Sequence, residues 1–208
     1  MIYCIGNSHA NFFTGTDPPS RYKGERGQFV SKSIGPIIAY NFKNNHFPKV
    51  IDFLEWENID KSENYVMLVV GEVDCRWHLP KQAQINQRCE LETTRECVDR
   101  FFECICDLRA LGYHMIGWGG HPSTTASHSD DPYNPIFGDC FTRNRISLEW
   151  SRYLGERCLE NSIPFLSIIE DLIDENGLTR MEYFRDYCHL GENAFTIMEK
   201  QLLGLLNG

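Results

Sequence analysis

The 208-residue chain has no apolar run near the roughly 18 residues that cross a bilayer as a helix, which excludes a membrane-spanning helix as its organising feature. Clustered basic residues are missing as well. With 20 Lys and Arg against 29 Asp and Glu, a net charge of −9, the sequence offers no cationic surface for a phosphate backbone, so neither nucleic acid nor membrane is an expected partner. Ahead of Ile2 there is neither a basic segment nor a cleavage site, so no signal peptide is expected and the mature chain should begin at Met1. No Cys-x-x-Cys occurs among the nine cysteines, an odd and scattered set (Cys4, Cys75, Cys89, Cys97, Cys104, Cys106, Cys140, Cys158 and Cys188). They read as reduced, mostly buried thiols of a cytoplasmic protein, and Cys104 and Cys106, facing different sides of a helix, do not read as a zinc site. Gly24-Glu25-Arg26-Gly27 lacks the lysine and the length of a phosphate-cradling loop. No Pro/Ser-rich linker and no repeat divides the chain, so one domain over residues 1–208 is expected.

What is present is a composition able to bury a core, 42% hydrophobic and 24% charged, as in ordinary soluble proteins. Ile2-Tyr3-Cys4-Ile5 is a short apolar run closed by Gly6-Asn7-Ser8-His9, which fits a buried strand of a parallel sheet that delivers Ser8 at its carboxyl end, where ligands bind in open α/β sheets. Asn11 to Gly27 reads as a loop, and the spacing of Ile34, Ile37, Ile38 and Phe42 predicts a helix from about Gly35-Pro36. Glycine there would leave a backbone N–H open to an oxyanion, or would serve only the turn. Val50 to Trp56 is a short amphipathic piece.

Tyr65 to Val70 is the clearest buried strand, and it ends in Gly71-Glu72-Val73-Asp74-Cys75-Arg76-Trp77-His78. Lys81 to Leu111 reads as a long amphipathic helix with one break. Further strands are expected at His114 to Trp118 and Ile163 to Ile169, with helices over 143–161 and 192–206. Strands alternating with helices imply parallel pairing and a three-layer α/β/α sandwich.

A serine becomes a nucleophile only when a base takes its proton. Asp186-Tyr187-Cys188-His189 supplies an imidazole and a carboxylate three residues apart, a spacing that makes them neighbours on one turn. Taken singly, Gly-Asn-Ser is equally a helix N-cap and Asp-x-x-His a surface turn. Taken together, Gly6-Asn7-Ser8-His9 near one end and Asp186 to His189 before the last helix resemble the SGNH (GDSL-type) hydrolase family over nearly the whole chain.

The resemblance implies the flavodoxin-like SGNH fold with Ser8, Asp186 and His189 as a catalytic triad. It also implies Gly35 as a backbone donor to the oxyanion beside the Ser8 N–H. The chain departs from the family at the third motif, where Gly-x-Asn-Asp is replaced by Gly71-Glu72-Val73-Asp74, so Val73 stands where an asparagine amide should help hold the oxyanion. Loss of such a donor costs about 10²–10³ in rate. Arg76, with five N–H donors, is the candidate replacement, and Glu72 and Asp74 are candidate substrate contacts; the alternative is a structural ion-pair network of the three.

His121 and His128, on the polar loop after the strand at 114–118, have no clear third metal ligand; His121 is assigned to substrate, with no metal and no cofactor. Ser123, Ser127 and Ser129 lack the strand-turn setting of Ser8. The implied activity is hydrolysis of an O-acyl ester, the O-acetyl case included, with a carbohydrate acceptor suggested by polar loops and by Trp77, Trp118 and Tyr133. The alternatives are an O-acyltransferase on the same site and a catalytically silent SGNH-fold ligand-binding protein. Nothing in the sequence fixes an oligomeric state.

Overall fold

A computed structural model of the protein describes residues 1–16, 23–129 and 134–207. Six strands form one sheet in the order β2-β3-β1-β4-β5-β6. They are β1 (Ile2–Gly6), β2 (Lys23–Arg26), β3 (Phe29–Ser33), β4 (Tyr65–Val69), β5 (His114–Trp118) and β6 (Phe165–Leu166). β1 pairs in parallel with β3 on one side and β4 on the other, and β5 and β6 continue the parallel run. The sheet is mixed, because β2 returns antiparallel onto β3 through a tight turn. That hairpin corrects the loop expected over 11–27, of which residues 17–22 lie outside the described residues. Its short strand, Lys-Gly-Glu-Arg, has no apolar alternation by which periodicity would reveal it.

Alternation along the central strands feeds a layer on each face. Ile5, Val66, Leu68 and Val70 pack with one set of helices: α1 (Phe42–Asn45), α2 (Phe47–Trp56), α3 (Leu79–Ile85), α4 (Glu90–Ala110) and α5 (Cys140–Glu160). Cys4, Met67, Val69, Ile116 and Trp118 face the other way, onto α6 (Glu192–Asn207) and the short 3₁₀ helix Ser8–Thr14. Period-two side-chain direction makes both faces apolar, which requires helices on both. The result is the three-layer α/β/α arrangement. The expected break in the long helix falls between α3 and α4, and the expected fourth strand shrinks to the two residues of β6.

All nine cysteines are free, and Cys4, Cys97, Cys104 and Cys158 fill core positions as small apolar groups. Among the described residues no helix is long and apolar enough to cross a membrane.

Gly6 illustrates how closely the strands approach where the site begins. A Cβ placed there would stand 1.9 Å from the Val69 carbonyl oxygen, a backbone atom that cannot move without opening the β1–β4 ladder. Gly6→Ala is therefore expected to cost about 3 kcal/mol or more, read as a lower urea midpoint at an unchanged slope.

Candidate active site

β1 lies where strand order reverses, since the chain proceeds from it to β3 on one side and later to β4 on the other. Such a switch point opens a crevice at the strands' carboxyl ends. There Asn7 leaves the strand and caps the 3₁₀ helix, its side-chain oxygen accepting the His9 N–H at 3.0 Å. Ser8 is the first residue of that helix, so its own N–H has no partner within the turn. The hydroxyl and a free backbone donor thus leave the strand together.

The other half of the site is a loop pinned at its base. Phe184 and Leu190 form an antiparallel bridge, with Arg185 N–H donating to the His189 carbonyl at 2.9 Å and Gly191 N–H to the Tyr183 carbonyl at 2.7 Å. Inside it, Asp186 Oδ1 accepts the backbone N–H groups of Cys188 (2.9 Å) and His189 (2.8 Å), the Asx turn that short acidic side chains favour. The carboxylate also meets His189 Nδ1, at 2.9 Å through Oδ2, and His189 Nε2 lies 2.8 Å from Ser8 Oγ. The spacing of three predicted this neighbourhood; the turn that produces it is closed by the aspartate itself rather than by a helix.

Electrostatics at this pair favour a neutral imidazole. Burial lowers the proton affinity of His189, and the neighbouring His9 lowers it further, against an opposing pull from Asp186. Burial would raise Asp186, but the two backbone N–H groups and the imidazole outweigh it and leave the acid below its ordinary range. Because the Asp186 side chain is 40% exposed, its Coulomb pull is screened, and orienting the ring is its larger effect.

A cleft of about 240 Å³ opens beside Ser8. His9, Asn11, Thr16, Arg185, His189 and Glu192 line it, with Phe12 and Leu190 as apolar patches.

The third-motif residues lie deeper than expected. Glu72 and Arg76 are 6% and 2% exposed; Arg76 Nε donates to Glu72 Oε1 at 2.6 Å and Nη1 to the Pro135 carbonyl at 2.7 Å. These bonds commit Nε and Nη1 of Arg76 to acceptors within the protein. Arg76 holds Glu72 in a buried pair, as the structural ion-pair alternative expects. Asp74 is fully buried and accepts the Ala39 N–H at 2.8 Å, so it ties the segment before α1 to the end of β4 and has no surface open to the cleft. It takes no part in the Glu72–Arg76 pair.

Gly35 does not begin a helix. Residues 34–38 are irregular and a 3₁₀ turn starts only at Ala39, so no helix N-terminus backs its N–H. Its φ of +107°, with open space within 4 Å of where a Cβ would stand, shows that the backbone alone demands glycine there. Ile34 N–H donates to the Gly6 carbonyl at 2.8 Å, which keeps this segment beside the end of β1.

His121 is 4% exposed, with Nδ1 2.9 Å from the Pro122 carbonyl and Nε2 2.9 Å from His9 Nδ1. It therefore reaches the site through His9, not through substrate, and His128 is exposed elsewhere on the loop. Trp118 is buried against Phe12 and Phe13, and Trp77 sits by Lys81; neither lines the cleft beside Ser8. Tyr133 lies outside the described residues.

Two groups were not legible as site residues. His9 sits inside the first motif, yet adjacency to a nucleophile is no signal of function. Its Nε2 is 3.0 Å from Glu72 Oε2, and its ring centroid is 4.7 Å from that of His189. Arg143 on α5 is fully buried and donates to the Thr124 (2.7 Å) and Ala126 (2.6 Å) carbonyls and to Ser123 Oγ (2.9 Å), fixing the loop after β5. This bond also removes Ser123 from contention as a nucleophile.

Among the described residues one grouping could offer three metal donors, Asp186, Cys188 and His189, whose atoms lie within 4.8 Å of one another. The donor set fits a metal poorly, because the carboxylate already holds two N–H groups and burial raises the Cys188 thiol, which disfavours the thiolate a metal needs.

No family model and no curated protein matches the sequence. Solved structures do. A GDSL-like lipase from Bacteroides thetaiotaomicron superimposes with a TM-score of 0.63 at 15% identity, covering 99% of this chain and 87% of the other. A catalytic mutant of an acetylxylan esterase from Geobacillus stearothermophilus gives 0.58 at 14% identity over 99% and 93%. A member of the lipolytic G-D-S-L family from Veillonella parvula gives 0.57 at 11% over 99% and 97%. At these identities the likeness is one of architecture, and it agrees with the strand order and the layers described above: the chain has the α/β fold of the SGNH (GDSL-type) hydrolases.

Proposed function

We propose that the protein is a serine esterase that cleaves an O-acyl ester through an acyl-enzyme on Ser8. The observation that carries this reading is the unbroken contact from Ser8 Oγ to His189 Nε2 (2.8 Å) and from His189 Nδ1 to Asp186 (2.9 Å), assembled from opposite ends of the chain. Ser8 Oγ attacks the ester carbonyl as its proton passes to His189 Nε2, and Asp186 holds the ring in the tautomer with hydrogen on Nδ1. The tetrahedral oxyanion is taken by the Ser8 N–H and, as the family resemblance suggests, the Gly35 N–H. Collapse expels the alcohol, which receives the proton from His189. Water then repeats the sequence in reverse, restoring the hydroxyl and releasing the acid.

The size of the cleft, about 240 Å³, suits a short acyl group, and its lining of Asn11, Thr16, Arg185 and Glu192 suits a polar alcohol such as a sugar. Likeness to an acetylxylan esterase points the same way. If an acceptor hydroxyl replaces water, the same site is an O-acyltransferase.

The test offers short-chain nitrophenyl esters and a serine-directed fluorophosphonate to the wild-type protein. Turnover and labelling at Ser8 are expected; a protein that does neither is the silent ligand-binding form for which Val73 is the warning. The acidic limb of kcat/KM has a predicted position too. His189 must be neutral to accept the proton, and burial and His9 lower its affinity for one. The limb should therefore fall below about pH 6.5, the ordinary histidine value, as read from a pH–rate profile.

A further inference from the structure

Beyond the three residues of the proposed triad, a chain of buried polar groups runs under Ser8: Arg76 to Glu72, Glu72 to His9, His9 to His121, and His121 to the Pro122 carbonyl. The polarity of each link follows from its ends. A peptide carbonyl only accepts, so His121 Nδ1 carries a hydrogen. A neutral His121 then has a bare Nε2, which must receive a hydrogen from His9 Nδ1. At the other end Glu72, held as a carboxylate by the buried guanidinium 2.6 Å away, also only accepts, so His9 Nε2 must donate as well. With His121 neutral, these links require hydrogen on both nitrogens of His9.

We propose that His9 is a standing imidazolium, locked between Glu72 and His121, and that its fixed charge beside Ser8 does the electrostatic work of the asparagine amide that Val73 has displaced. A cation whose ring lies 4.7 Å from that of His189 and lines the same cleft as Ser8 acts on both partners of the proton transfer. It disfavours a proton on resting His189 and favours negative charge developing at the oxyanion. It touches the reacting atoms through the field alone, because its two donors are already used, so it is a positioning and electrostatic residue.

The supporting shifts agree in direction. Burial would raise Glu72, yet Arg76 and His9 outweigh it and hold the carboxyl well below its usual range. Burial, reinforced by His9, pushes His121 down to about 3. Among the described residues the titratable groups against His9 are Glu72, itself held by Arg76, from the end of β4, His121 from the loop after β5, and His189, which Asp186 orients, from the loop before α6. Arg185 and Glu192 also line the cleft.

The kinetic part of this inference rests on the esterase reading; the charge state does not. Ring-nitrogen NMR of the wild-type full chain at pH 7, with His9 assigned through its backbone, should show both His9 nitrogens protonated and His121 as a single neutral tautomer. A His9 that is neutral at pH 7 overturns the proposal whatever the activity. In His9→Asn the acidic limb of kcat/KM should move upward by about one unit, because the cation that opposed a proton on His189 is gone, and kcat should fall by about 10²-fold. A merely structural His9 would leave the limb in place, and that result also overturns the proposal. A wild type that shows neither turnover nor labelling ends the esterase reading, and the NMR result then decides the charge alone.

Discussion

Ser8→Ala is expected to lower kcat/KM for a short-chain ester by about 10⁴-fold or more and to abolish fluorophosphonate labelling, with the thermal midpoint unchanged within about 1 °C. The substitution deletes one oxygen, whose hydrogen bond goes to His189 Nε2. His189 keeps its contacts with Asp186, and Asn7 still caps the 3₁₀ helix. His189→Ala should fall as far, and the double variant no further, because nucleophile and base act as one unit. Steady-state rates of the three variants, measured beside their melting curves, check this. A Ser8→Ala protein that retains about a tenth of wild-type activity would move the chemistry to another residue, since a hydroxyl doing the attack cannot be spared at so small a loss.

Removing Glu72 should produce the largest change in stability. Glu72→Ala leaves the Arg76 guanidinium and His9 facing one another in a site where both are buried, without the carboxylate that neutralises them. Stranding buried charge in this way costs about 3–5 kcal/mol, which in a chain of this length lowers the melting temperature by roughly 10 °C. Glu72→Gln, which keeps the volume and one acceptor oxygen, should lose less.

The same network sets the acid limit of the fold. Both Glu72 and His121 have folded-state proton affinities below their ordinary values, so the unfolded chain binds more protons and stability falls as pH falls. For His121 the loss begins below about pH 6.5 and continues to its folded value of about 3; for Glu72 it begins below about pH 4.3. Melting curves taken between pH 7 and pH 2.5 should show a decline that starts in the histidine range, and Glu72→Ala should flatten the part of it below about pH 4.3.

Ile2 to Gly6, Tyr65 to Val69 and His114 to Trp118 were readable as buried strands because both faces of each are covered, which leaves an unbroken apolar run. Ser8, His189 and Asp186 were readable as partners because a nucleophile, its base and an orienting acid come as short local patterns, and the local pattern is what strand end and Asx turn require. β2 escaped because its polar residues lie at the sheet edge, where burial imposes no alternation. The helix expected at Gly35 is absent because apolar spacing reports burial, and the irregular segment 34–38 buries Ile37 as well as a helix would.

The order of apolar and polar residues along the chain was sufficient for the layers and the strand ends, since each depends on neighbours close in sequence; Ser8 was joined to Asp186 and His189, 181 residues from that histidine, only by reading two short motifs together as a family resemblance. The partners of Glu72, Asp74, Arg76 and His121 were decided in three dimensions. A buried carboxylate or imidazole takes its state from whichever donor, acceptor or charge stands within hydrogen-bond reach, and for each of these residues one such group comes from another segment: His9 for Glu72 and for His121, Ala39 for Asp74 and Pro135 for Arg76.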